Sequence, residues 1–177
     1  MQSTDESPSR FEKARADAGT GAVIAAKNEH APMLPASTIK ILTALSALER
    51  LPLASTVPVS ARAAAQPAMK VSMTPGSVWK LDDALHALLI VSANDAAYAI
   101  AERTSGSVEK FAVDAQTTAK RLGLTDTTFR APAGLDDAGA YGGGTHTSAS
   151  DLAIVARNAV PDSTVLECAP AAHMTTN

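Results

Sequence analysis

The stretch Ser37–Leu48 restricts the fold more than any other feature of this chain. Ile39, Ile41, Leu42, Leu45 and Leu48 continue as a strongly apolar helical pattern, so residues 36–50 are expected to form a core helix. A polar Ser37 and Lys40 at the start of such a helix need a reason, because burying either without a partner is costly. Three residues apart, they fall on one helical face about one turn from each other. At that spacing a neutral lysine amine can take the serine proton, the serine–lysine form of nucleophilic catalysis.

The pattern alone has little force. With 15 Ser and 7 Lys in 177 residues, chance gives about 0.6 matches to Ser-x-x-Lys. Three occur: Ser37/Lys40, Ser77/Lys80 and Ser107/Lys110. Ser77 follows Thr74-Pro75-Gly76, a turn, and precedes a helix expected to start near Leu81. Ser107 follows Gly106 and opens an amphipathic helix with Glu109 in its first turn, which reads as an N-cap. Only Ser37 heads an apolar helix, and for it too an N-cap remains the plainer alternative.

The rest of the chain divides readily. The first thirteen residues are polar, and a short buried strand is expected over 21–26, after a turn at 17–21. Pro52, Pro58, Pro67 and Pro75 predict extended segments and turns across 51–80. Leu81, Ala84, Leu85, Leu88 and Leu89 predict a helix over 81–91 that runs directly into Ser92-Ala93-Asn94. Further helices are expected at 95–104, at 107–122 with Gly123 as its stop, and from a capping box at Ser148–Asp151 to about Ala159. Residues 126–147 read as loop. One strand is clear.

Bulk properties exclude several classes. At 177 residues and 46% hydrophobic content the chain suits one folded domain, and with 3% aromatics its core must rest on Ala, Leu, Val and Ile. A net charge of −3 gives no basic footprint for nucleic acid. The longest apolar stretch, 84–93, is interrupted by His86 and too short to cross a bilayer. Met1–Pro8 shows neither a basic nor an apolar signal region, so no signal peptide is visible. Cys168 is the sole cysteine, and His30, His86, His146 and His173 lack metal-ligand spacing. No metal and no cofactor are expected.

Taken together, Pro35-Ala36-Ser37-Thr38-Ile39-Lys40 and Val91-Ser92-Ala93-Asn94-Asp95-Ala96-Ala97 resemble the first two motifs of the low-molecular-mass penicillin-binding proteins, the serine D-alanyl-D-alanine carboxypeptidases. Residues 17–24 resemble the family's first strand-turn-strand. Leu122–Phe129, Gly134-Leu135-Asp136 and Thr147–Ala153 continue its order, so the likeness runs from about Ala16 to Val160. It implies an α+β fold: the helix-rich part of the penicillin-binding protein/β-lactamase-like fold, with most of the antiparallel sheet missing. Residues 1–15 then form a polar N-terminal segment and 16–177 a partial, C-terminally truncated carboxypeptidase domain.

The resemblance also implies roles. Ser37 is the nucleophile that attacks the carbonyl between two D-alanines of a peptidoglycan stem peptide, and Lys40 is its base. Ser92 relays a proton to the leaving amine, and Asn94 binds the acyl-side amide. Burial lowers a lysine pKa, and a serine at a helix start places its own N–H where an oxyanion forms. The implied partners are a stem peptide or a β-lactam, with no nucleic acid, and the implied location is the cell envelope or the extracellular space. Two departures stand out. No lysine follows Lys120, so the family's Lys-Thr/Ser-Gly motif has no counterpart, and Ala131 stands where Asn commonly precedes Pro. Ser-Ala-Asn in place of Ser-Asp-Asn, with no Glu-x-x-Leu-Asn over 126–147, argues against a class A β-lactamase. The alternative expectation is a catalytically inactive or weakly penicillin-binding remnant. A chain lacking sheet is also expected to expose apolar surface and to self-associate.

Overall fold

The computed structural model describes residues 12–135, 144–159 and 165. Strands β1 (Lys13–Ala16) and β2 (Val23–Lys27) lead to a 3-10 turn at Ala36–Ile39 and helix α1 (Lys40–Leu48). Strand β3 (Thr56–Pro58), the short helix α2 (Ala61–Ala64) and β4 (Val78–Lys80) follow. Helices α3 (Leu81–Ile90), α4 (Asn94–Ser105), α5 (Val108–Arg121) and α6 (Ala149–Ala159) complete an α+β, helix-rich architecture. Sheet structure among the described residues is limited to two antiparallel pairs, β1–β2 and β3–β4.

Helix α1 is the hub. Lys40, Leu42, Thr43, Ala44, Leu45, Ser46 and Ala47 are buried, and the helix packs on α3, α4, α5 and α6. Helix α4 is buried without a break from Asn94 to Ala101. Four of those residues are alanines at 0% exposure (Ala96, Ala97, Ala99 and Ala101), so neighbouring backbones approach closely although aromatics are scarce. The rings Phe111 and Phe129 meet edge-on at 5.9 Å and join α5 to the segment after it.

Helix limits follow local chemistry. Ser107 Oγ accepts from Lys110 N at 3.2 Å and caps α5, as expected, and Gly123 at φ 82° ends it. At α6 only half of the expected capping box forms. Ser148 Oγ accepts from Asp151 N at 3.1 Å, but the Asp151 carboxylate accepts from Asp126 N and Thr127 Oγ1 instead of reaching back. The shorter Asp side chain is drawn to nearer donors on the 126–127 turn. His30 pairs with Asp126 at 2.8 Å, and Ser148 Oγ donates to the same carboxylate.

Three expectations change. The strand expected to be buried is β2, and it is exposed throughout, with Val23 68% and Ile24 63% accessible. Apolar composition made it a strand, but among the described residues only β1 pairs with it. Besides β2 the described residues hold three further short strands. Val57 is buried between exposed Thr56 and Pro58, an alternation too brief to stand out among prolines. Within 51–80, Ser60 also caps a single helical turn, α2, accepting from Ala63 N at 3.0 Å.

Candidate active site

Structure separates the three Ser-x-x-Lys matches. Ser107 is a cap, and Ser77 Oγ donates to the Thr74 carbonyl of its own turn while Lys80 ends β4. Ser37 is not an N-cap. It lies inside the 3-10 turn and no side-chain bond caps that turn. The tighter winding of a 3-10 turn stacks side chains three residues apart, and Lys40 Nζ lies 3.0 Å from Ser37 Oγ. Ser37 is exposed, whereas Lys40 is 2% exposed. The serine therefore faces incoming molecules while its partner sits behind it.

Lys40 has a second partner 93 residues away, the Ala133 carbonyl, which accepts from Nζ at 2.9 Å. One turn further along α1, Thr43 Oγ1 donates to the Pro132 carbonyl at 2.8 Å. The segment 132–134 is thus held against α1 by two consecutive carbonyls. Gly134 closes the contact at φ 70°, where a Cβ would overlap the Ala36 carbonyl oxygen and lie 2.9 Å from Ile39 Cγ2. Ala36 itself is left-handed at φ 47°, so the backbone leading into Ser37 is strained.

Electrostatically, burial lowers the Lys40 amine from 10.5 to about 8. A neutral amine has one lone pair and two N–H bonds. With one N–H on Ala133, the lone pair is free to face the Ser37 hydroxyl. The Ser37 amide N–H donates to no backbone carbonyl among the described residues, which leaves it available to a developing oxyanion.

Ser92 and Asn94 occupy the junction of α3 and α4. Ser92 is left-handed at φ 60° and half-buried. Asn94 is 3% exposed; its N–H donates to Met69 O at 2.7 Å and its Nδ2 to Pro67 O at 3.1 Å. No hydrogen bond joins Ser92 or Asn94 to Ser37 or Lys40 among the described residues. The structure therefore brings Ser37 and Lys40 into direct contact, and sets Ser92 and Asn94 at the junction of α3 and α4, two helices that pack against α1.

Sequence reading missed Thr43, the Ala133 carbonyl and the role of Gly134. One signal was available: Ser37, Lys40, Thr43 and Ser46 repeat every third residue along an otherwise apolar helix, a polar stripe that needs partners. Nothing metal-binding is formed among the described residues.

Over residues 13–177 the chain matches the family described as D-alanyl-D-alanine carboxypeptidase. It is 37% identical over 148 residues to the D-alanyl-D-alanine carboxypeptidase DacB2 of Mycobacterium tuberculosis, covering 82% of this chain and 48% of that protein. With DacF of Bacillus subtilis, also a D-alanyl-D-alanine carboxypeptidase, identity is 36% over 143 residues, covering 78% and 36%. The chain thus spans half or less of the length of these relatives. A crystal structure of a D-alanyl-D-alanine carboxypeptidase from Mycobacterium tuberculosis is similar at a TM-score of 0.83 and 32% identity, covering 89% of this chain and 58% of that one.

Proposed function

The chain belongs to the D-alanyl-D-alanine carboxypeptidase family, and from that premise we propose that it acts as a serine acyl enzyme removing the terminal D-Ala of peptidoglycan stem peptides. The observation that carries this reading is the 3.0 Å approach of Lys40 Nζ to Ser37 Oγ, with the amine buried. Ser37 Oγ attacks the carbonyl between the two D-alanines and passes its proton to the neutral Lys40 amine. The Ser37 N–H donates to the oxyanion of the tetrahedral intermediate. Ser92 relays a proton to the leaving nitrogen, the C–N bond breaks, and D-Ala departs. Water then hydrolyses the Ser37 ester. Asn94 holds the amide on the acyl side.

The ligand in this reading is a stem peptide or a β-lactam and the place of action is the cell envelope. No helix among the described residues is long and apolar enough to cross a membrane. Self-association belongs to the same proposal. Its support is the exposed Val23 and Ile24 on β2, and sedimentation showing only monomer across concentration removes it.

The test is incubation with a reporter penicillin, read as a mass shift, in the parent chain and in Ser37→Ala. A stoichiometric adduct lost in the variant is expected. Absence of any adduct after long exposure at high concentration refutes the nucleophile assignment. Release of D-Ala from a stem-peptide mimic then separates turnover from acylation alone.

A further inference from the structure

Asp95 is fully buried at 0% exposure, yet the chemistry above gives it no part. A carboxylate in such a position needs donors, and it has three. Oδ1 accepts from Val71 N at 3.3 Å and from Ala96 N at 3.0 Å, and Oδ2 accepts from Met73 N at 2.9 Å. The Ala96 bond is local to the start of α4. The other two reach back over 20 residues to one segment, 67–73.

That segment returns bonds to the residue before Asp95. Met69 O accepts the Asn94 N–H at 2.7 Å, and Pro67 O accepts Asn94 Nδ2 at 3.1 Å. Residues 67, 69, 71 and 73 therefore each present a backbone group to Asn94 or Asp95, along a segment that bends at 68–69 and is left-handed at Ser72 (φ 57°). Two carbonyls grip Asn94, and two N–H groups are gripped by Asp95. Asn94 is thereby fixed in both backbone and side chain.

Ser92 shares the consequence. Its left-handed φ of 60° is a strained conformation for a serine, held only where its surroundings over-determine it. The residues after it supply that constraint: Ala93 N donates to Ala87 O at 3.0 Å, and Asn94 is locked to Met69 and Pro67. We infer that Asp95 is a positioning residue: by fastening segment 67–73 it holds Asn94 and, through Asn94, the strained Ser92 in the geometry acyl transfer uses. This rests on the acyl-enzyme reading for its catalytic consequence, though not for its structural one.

Asp95→Asn keeps the volume but turns a donor toward one of the two segment N–H groups. In the full chain, isotope-labelled, Val71 and Met73 amides are expected to lose exchange protection. The decisive readout is indirect. The Asn94 Nδ2 resonances and the Ser92 Cα and Cβ shifts, which belong to groups with no bond to Asp95, are expected to move. With a reporter penicillin, the limiting acylation rate is expected to fall at least tenfold while the fraction of molecules labelled stays the same. A residue with only a structural role would lower that fraction and leave the rate of the folded molecules intact. Unchanged Asn94 Nδ2 and Ser92 signals alongside exposed Val71 and Met73 amides overturn the inference, as does an unchanged rate. If the parent chain takes no penicillin, the acyl-enzyme reading fails and the resonances alone decide about Asp95. Should Asp95→Asn not fold, Val71→Pro deletes one of the same bonds from the other side and is judged by the same signals.

Discussion

Lys40 should titrate near pH 8, and the reactivity of Ser37 should follow it. Burial lowers this amine from 10.5 to about 8. At pH 7 the neutral fraction is then roughly 10%, against about 0.03% for an unperturbed lysine, a gain of about 300-fold in competent base. Two measurements check this. The first is the pH dependence of second-order acylation by a reporter penicillin between pH 6 and 9.5. The rate should rise about tenfold per pH unit below 8 and level off above it. The second needs no activity: carbon-13 titration of the Lys40 ε-methylene should give a midpoint near 8, distinct from the other six lysines. Stability should respond in a matching direction. Between pH 8 and 10.5 the unfolded chain binds the proton that the folded chain has released, so the protein gains stability as pH rises through that window. Below pH 8 both states are protonated and this contribution is absent. The gain is at most about 3 kcal/mol, less what solvent at the exposed Ser37 side screens away. A Lys40 midpoint above 9.5, or an acylation rate indifferent to pH, refutes the reasoning from burial.

Gly134→Ala forces a Cβ onto the Ala36 carbonyl at a left-handed backbone position, so thermal denaturation should report a loss of at least about 3 kcal/mol. Thr43→Val removes the hydroxyl that donates to Pro132 O; denaturant unfolding should show a loss of about 1–3 kcal/mol, and no change refutes the role given to that bond. Ser107→Ala deletes the α5 cap, expected to cost about 1 kcal/mol by the same assay. The Asp126 carboxylate beside His30 raises the imidazole above its usual 6.5, so proton NMR should find its midpoint displaced upward. Asp126→Asn should return that midpoint toward 6.5.

Much of the fold was legible from local chemistry. The helices around α1, α3, α4 and α5 came from apolar spacing at 3.6 residues, and their ends from Ser107, Gly123 and Ser148. The one-turn separation of Ser37 and Lys40 is likewise local, because a helical backbone fixes it. Strand β2 was legible as a strand but not as an exposed one. Burial depends on what packs against a strand, and its own residues do not state that.

Tertiary structure decided what the site became. Three Ser-x-x-Lys matches are equal as strings, and only packing shows that one serine caps, one bonds its own turn and one meets a buried amine. The groups that hold the site are mostly main chain: the carbonyls of Ala133, Pro132, Met69 and Pro67, and the N–H groups of Val71 and Met73. Every residue carries a carbonyl, and every residue but proline an N–H, so neither marks a sequence. Which of them meets Lys40 or Asp95, across 93 or 22 residues of chain, is settled only when the helices pack and buried polar groups must find partners or lose the free energy of hydration.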